Sequence, residues 1–393
     1  MSNHQASEQM VGYLFQVRYA LALLLDNDHP DSQISIEKFD DVAFSNDGVP
    51  TQLIQLKHHI HRQGSLTDAS TDMWRTIKVW LDVISESPDI LNGTNFLIIT
   101  TARAPVDSAA FLLKTDTNRN PTIAYEKLKA VCSSSTNQAH QEYYASFSGV
   151  SENIAKQLIE QIYVIDRASN VVDIEKNILK QIRYSCAPKH QKMIYERLEG
   201  WWFKKAIDAL CSDTPVFVNQ NQVRDYIVAI SHEYADDNLP IDVWEIDDLQ
   251  ESGFSDNERI FYEQLKLICL NNRHMKIALR DYYRAFRQRA SWIRNNLLYI
   301  NELEVYERRL IDEWEHAFVA MEETLSEVEN VTDDEKAKAG RRLFSNMENK
   351  DIRIRPKCQE PFVMRGSYHI LANQLKVGWH VDFAERLKQL LNI

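Results

Sequence analysis

Apolar residues recur at helical intervals from Val11 to Leu25 (Val11, Leu14, Phe15, Val17, Leu21, Leu24, Leu25), and the run stops at the turn-forming stretch 26–30. The pattern predicts a first helix. Residues 34–44 (ISIEKFDDVAF) and 52–58 (QLIQLKH) then read as two strands separated by Ser45, Asn46, Asp47, Gly48 and Pro50, an antiparallel hairpin. Residues 68–84 predict a capped helix with Met73, Ile77, Trp80 and Ile84 on one face, and 95–101 (NFLIITT) a buried strand. Helix, strand, strand, helix, strand is the order of an α/β core.

After residue 105 the pattern is mostly helical, interrupted by the Ser-rich stretch 133–136 and by the apolar run 162–165, one more candidate strand. Helices are expected over 172–210 and 222–234. The acidic, proline-containing stretch 235–253 reads as a linker between a domain over 1–234, its core at about 10–105, and a helical domain over 254–393. Within 256–329, Tyr282, Phe286, Ala290, Ile293 and Leu297 form an apolar stripe. Arg273, Lys276, Arg280, Arg284, Arg287 and Arg294 line another side of the same helix, the pattern of a solvated face or of one paired with acidic neighbours.

Composition narrows the function classes. With 393 residues, 26% charged and 44% hydrophobic, and only 10 Gly and 10 Pro, the chain is an ordinary globular protein of two or three domains. Its net charge of −12 argues against coating nucleic acid by bulk charge, so any DNA contact must be local. Five scattered cysteines without a CxxC pair fit free thiols in a reducing compartment, and no segment reads as a leader or a membrane span, so a cytoplasmic location is expected. No phosphate-binding loop, dinucleotide fingerprint, GxSxG elbow or HExxH helix occurs. ATP-driven work, hydride transfer and the easiest hydrolase classes fall away.

What remains is Gln55-Leu56-Lys57. On a strand Gln55 and Lys57 point one way while Ile54 and Leu56 enter the core, and Glu37 and Asp41 share a face of the preceding strand. Phosphodiester hydrolysis needs oxygen ligands for a hard cation such as Mg²⁺ and a lysine to stabilise developing charge. The same alternation also describes a hairpin whose exposed face is simply polar. His58, His59 and His61 lack a fourth ligand and read as a polar strand end. Arg365, His369 and His380 have no neighbouring nucleophile, which favours packing or docking over catalysis.

Taken in order, GYLFQ (12–16), IEKFDDVAF, QLKHH, TDMWRTIKVWL and FLIITTA resemble the PD-(D/E)xK nuclease superfamily, most of all the double-strand DNA nuclease domains of bacterial anti-phage effectors. The usual (D/E)xK is here Gln55-x-Lys57, a form shared with Mrr-like members. The segment 353–383, with Arg365-x-Ser367-x-His369-x-Leu371-Ala372 and Val377-Gly378-Trp379-His380, resembles the C-terminal domain of accessory proteins of ABC-type three-component defence systems. The combination resembles the LmuA (DdmA) family of Lamassu effectors.

That resemblance implies an α/β PD-(D/E)xK restriction-endonuclease-like domain, a mixed sheet flanked by helices, followed by an all-α domain. It implies Lys57 and Gln55 as catalytic residues and Asp41, Glu37 and Gln55 as ligands of a divalent metal such as Mg²⁺, with Asp40 against Asp41 left open because a bulge would exchange their faces. It further implies double-stranded DNA as substrate. An SMC-like (LmuB-like) ATPase and a small LmuC-like accessory subunit are the partners it implies, with the helical domain docking on the ATPase. Cutting both strands requires two sites, which points to a homo-oligomer with contacts on Trp201, Trp202 and the helices of 172–210. Two rival readings stay open: a non-catalytic DNA-binding adaptor of an ATPase complex, and a metal-dependent RNase.

Overall fold

The computed structural model describes residues 3–29, 31–36, 41–46, 49–58, 64–214, 216–244 and 259–391. The chain divides into two compact units, Met1–Ser231 and His232–Ile393. The first is a mixed α/β unit built on a six-stranded sheet of order β5-β4-β3-β2-β1-β6, with β1 Gln33–Ile36, β2 Val42–Asn46, β3 Val49–Lys57, β4 Asn95–Thr100, β5 Ile162–Ile165 and β6 Val218–Asn219. Strands β1, β2 and β3 form an antiparallel meander, β4 and β5 add in parallel beyond β3, and β6 closes the other edge antiparallel to β1.

Nine helices of the described residues accompany this sheet: α1 Asn3–Leu25, α2 Thr71–Glu86, α3 Ala109–Leu112, α4 Pro121–Ser134, α5 Gln141–Gly149, α6 Glu152–Gln161, α7 Val171–Gln181, α8 Gln191–Leu210 and α9 Gln220–Glu233. Helix α2 starts where Ser70 accepts a hydrogen bond from the Met73 amide. Its apolar stripe Met73, Ile77, Trp80 and Ile84 is buried as the spacing predicts, against Ala43, Leu53, Phe96 and Ile98 of the sheet. Burying each such side chain contributes about 1.5–3 kcal/mol. Residues of the opposite parity face α1, whose Phe15 ring lies 4.5 Å from that of His58 at the end of β3. The β3 residues 53–56 are all buried, as expected for a central strand covered on both faces.

The expected strand over 34–44 is not one strand. Ile36 pairs with Val42 and β1 runs antiparallel to β2, so these are two strands, and residues 37–40 lie outside the described residues. The expected strand face shared by Glu37 and Asp41 involves Glu37, which lies outside the described residues.

The second unit is all helical: α10 Arg259–Leu267, α11 Asn272–Arg294, α12 Glu302–Ser326, α13 Asp333–Glu348, α14 Pro361–Asn373 and α15 Phe383–Leu391. Helix α14 is its buried centre, with every residue from Phe362 to Ala372 except Arg365 buried. It lies so close to α11 that a Cβ on Gly366 would stand 2.0 Å from the Asp281 carbonyl oxygen and 2.5 Å from the Ala285 side chain. Small residues therefore set the phase of α11. It buries Met275, Ala278, Leu279, Tyr282, Ala285 and Trp292, whereas Phe286 and Ile293 of the expected apolar stripe are 55% and 59% exposed. The described part of the 235–253 stretch is fastened to α11. The Gln288 side chain accepts from the Asp242 and Val243 amides, and the Pro240 carbonyl accepts from the Trp292 indole at 2.7 Å.

Two glycines predict opposite outcomes. Gly366→Ala is expected to cost the C-terminal unit about 1–3 kcal/mol or more through overpacking. Gly200→Ala, inside α8 with nothing within 4 Å of the added carbon, should add up to about 1 kcal/mol to the first unit through helix propensity. Calorimetric unfolding of both variants reads the two signs, and an unchanged transition for Gly366→Ala would contradict the close helix approach.

Candidate active site

The C-terminal end of β3 carries Gln55 and Lys57 on the face shared with Leu53. The Lys57 ammonium donates to Gln55 Oε1 at 2.6 Å, so the two side chains do point the same way, while Ile54 and Leu56 are buried. Parallel pairing of Lys57 with Thr100 and a hydrogen bond from the Thr101 amide to the Lys57 carbonyl (3.1 Å) hold this strand end in register. Gln55 is only 5% exposed. Its amide is a fixed part of the site and not a surface side chain.

Asp41 enters from the start of β2. Since Val42 pairs with Ile54, continuing the register sets Asp41 opposite Gln55, and Asp41 Oδ2 accepts the Leu56 amide at 2.8 Å. Of the two aspartates left open by the sequence, Asp41 is thus at the strand end with Gln55 and Lys57; Asp40 and Glu37 lie outside the described residues. Burial pushes the Asp41 carboxyl above its ordinary value, against the opposing pull of Lys57, the Leu56 amide, the Gln16 side chain and Arg75. Gln16 comes from α1 and Arg75 from the exposed face of α2. The sequence reading gave neither a role, although both lie in quoted segments, because nothing in their local pattern says that two helices converge on one strand end.

Asp41 is a half-buried carboxylate whose partners do not fully offset its loss of water. With the amide oxygen of Gln55 beside it, the donor set is hard oxygen, which suits a cation such as Mg²⁺ that takes one or two carboxylates and completes its shell with water and substrate phosphate. Among the described residues there is no cluster of three or more His, Cys, Asp or Glu. The residues present fit a cation held in part by its substrate.

The other residues singled out in the sequence fall elsewhere. His58 packs on Phe15, and His59 and His61 lie outside the described residues. Trp202 cannot serve an oligomer interface. It is 1% exposed and its indole donates to the Val17 carbonyl, whereas Trp201 stacks on Tyr226 with ring centres 4.7 Å apart. Arg365 donates to the Glu348 carbonyl at 3.0 Å. His369 is buried among the rings of Phe261, Phe344 and Trp379, where burial lowers its pKa to about 3, and buried His380 accepts the Asp382 amide. These residues hold the helical unit together.

The raised Asp41 pKa has a stability consequence. The folded state disfavours the carboxylate, so its cost is absent at low pH, where the acid form prevails, and grows as pH rises from the unfolded value through the folded one. Asp41→Asn is therefore expected to raise the unfolding temperature at pH 7–8 and to lose that advantage toward pH 3, as followed by thermal melts across pH. A variant less stable than wild type at pH 8 would contradict the burial argument.

Residues 261–387 match the family model for C-terminal domain 7 of the ABC-three component (ABC-3C) systems. No curated protein matches the chain. Among solved structures it is similar to the Acinetobacter baumannii Cap4 SAVED/CARF-domain containing receptor with the cyclic trinucleotide 3'3'3'-cAAA. That similarity has 13% identity and a TM-score of 0.33 over 56% of this chain and 48% of that one, so the chain spans about half of that structure. The match lies wholly within the C-terminal unit, which is therefore similar to a domain of the ABC-three component systems.

Proposed function

We propose that the chain is the metal-dependent endodeoxyribonuclease effector of such a system, of the Lamassu kind, restrained and activated by an SMC-like ATPase with a small accessory subunit. The observation that carries this reading is the convergence of Asp41, Gln55 and Lys57 at one strand end in a PD-(D/E)xK-like order, in a chain whose C-terminal unit matches a three-component-system domain.

Lys57 places a positive charge where a phosphoryl oxygen would gain negative charge, and Gln55 fixes that ammonium by accepting its hydrogen bond. Asp41 and the Gln55 amide oxygen would hold the divalent cation; when bound, it polarises the phosphoryl group and makes water a better nucleophile. The Leu56 amide keeps Asp41 oriented toward the strand end. Arg75, exposed on α2 and close enough to act on Asp41, would neutralise a flanking phosphate. One such site cuts one strand, so a double-strand break requires at least two copies of the chain acting together.

Incubation of the full chain with plasmid DNA and Mg²⁺, alone and with its partners, tests the reading. Lys57→Ala is expected to lower cleavage about 10²- to 10³-fold, the loss typical of removing one aimed electrostatic group, with the melting curve unchanged. EDTA should abolish wild-type cleavage. Lys57→Ala cutting at the wild-type rate, or cutting in EDTA, would overturn the assignment, and faster hydrolysis of RNA than of DNA in parallel reactions would replace DNA by RNA as substrate.

A further inference from the structure

Helix α11 carries a feature that the packing of its unit does not consume. Arg273, Lys276, Arg280, Arg287 and Arg294 are all exposed. At about 100° per residue they fall within a wedge of about 60° on the helix, and at about 1.5 Å rise per residue they form a row about 30 Å long. Among the described residues none of the five forms an ion pair, although most other surface cations of this unit do, including Lys266, Lys336, Lys338, Lys350, Lys357 and Arg386. The carboxyl group through which Arg280 is felt, that of Asp281, is buried. Arg284, at the margin of the row, is already used, donating to the Trp244 carbonyl and lying over the Phe362 ring at 5.0 Å.

Keeping five like charges in line on a protein of net charge −12 costs repulsion along the helix and wins no ion-pair partner among the described residues. Such a row suits a partner that brings negative charge. A protein partner would be expected to bring an apolar centre with charges at its rim, but no apolar side chain falls inside this wedge; exposed Phe286 and Ile293 lie about 100° further round the helix. A linear polyanion matches better. Duplex DNA presents one phosphate per about 3.4 Å along each strand, so a row of about 30 Å faces roughly nine base pairs. Four of the five cations are arginines, whose planar guanidinium groups pair with phosphate in two-bond fashion.

We propose that the exposed cationic face of α11 is a sequence-independent docking surface for the phosphate backbone of duplex DNA, a contact separate from the cleavage chemistry of β3. It gives an acidic protein a local grip on its substrate and requires no base contact.

The test uses the full chain, in EDTA so that cleavage plays no part, and a labelled 30-base-pair duplex titrated over a series of salt concentrations. Wild type should bind with a log K against log[salt] slope that includes up to about five phosphate contacts at about 0.9 each. Arg280→Gln/Arg287→Gln/Arg294→Gln should bind more weakly at low salt and lose about two to three from that slope. The matching triple lysine variant should keep most of the binding, since a phosphate accepts a point charge. Wild type without measurable binding at low salt, or a glutamine variant with unchanged slope, would overturn the proposal. So would loss of ATPase co-purification in the glutamine variant with DNA binding intact, which would assign the face to an acidic protein. Binding is read here without cleavage, so failure of the nuclease reading leaves this result standing, and failure of this proposal leaves Lys57-dependent cleavage standing.

Discussion

The hydrogen bond from the Leu56 amide to the Asp41 carboxylate, 2.8 Å long, joins the start of β2 to the end of β3 and brings a carboxyl group into the sheet interior beside Lys57. Much else in the first unit depends on that placement. β2 must pair antiparallel with β3 in this register for Asp41 to arrive there, and β3 must be central for its end to be shielded. Helices α1 and α2 supply the groups, Gln16 and Arg75, that make the half-buried charge tolerable without neutralising its cost. A carboxylate kept short of water in this way would be stabilised by a cation more than an exposed one, which is why the proposed function gives Asp41 the ligand role.

The helical unit works by a different constraint, the approach of backbones. Gly366 admits Asp281 and Ala285 of α11, Gly340 of α13 admits the Trp379 carbonyl, and Gly378 admits the Phe383 ring. Around these contacts Trp314 donates to the Gly378 carbonyl at 2.8 Å, Tyr368 donates to the Leu310 carbonyl at 3.0 Å, and His369 sits neutral in an aromatic cage. The conspicuous terminal motif is thus a packing code. Binding is left to what the packing exposes, above all the charged side of α11.

Legibility followed the range of the interactions involved. Helix α2 and strands β4 and β5 were readable because their periodicity is local and their buried residues are large and apolar; β5 matches 162–165 to the residue. The split of 34–44 into two antiparallel strands was not, because no Gly or Pro lies between Ile36 and Val42 to mark it. The phase of α11 was misread because tight packing there selects Ala and Gly, which an apolar-stripe search undervalues. Strand β6 pairs with β1 over a long sequence separation, and Gln16 and Arg75 reach the site from separate helices. None of those relations leaves a local trace. The Gln55–Lys57 pair was legible as far as strand alternation goes, and the placement of Asp41 opposite it came only from the register.

The central claim, that burial at the end of β3 keeps Asp41 ready for a cation, can be measured directly by carboxyl-carbon NMR titration of the full chain, with Asp41→Asn used to assign the resonance. The account predicts an Asp41 pKa above the ordinary aspartate value of about 3.9, falling on addition of Mg²⁺ and rising further in Lys57→Ala. An Asp41 that titrates at the ordinary value and does not respond to Mg²⁺ would contradict it.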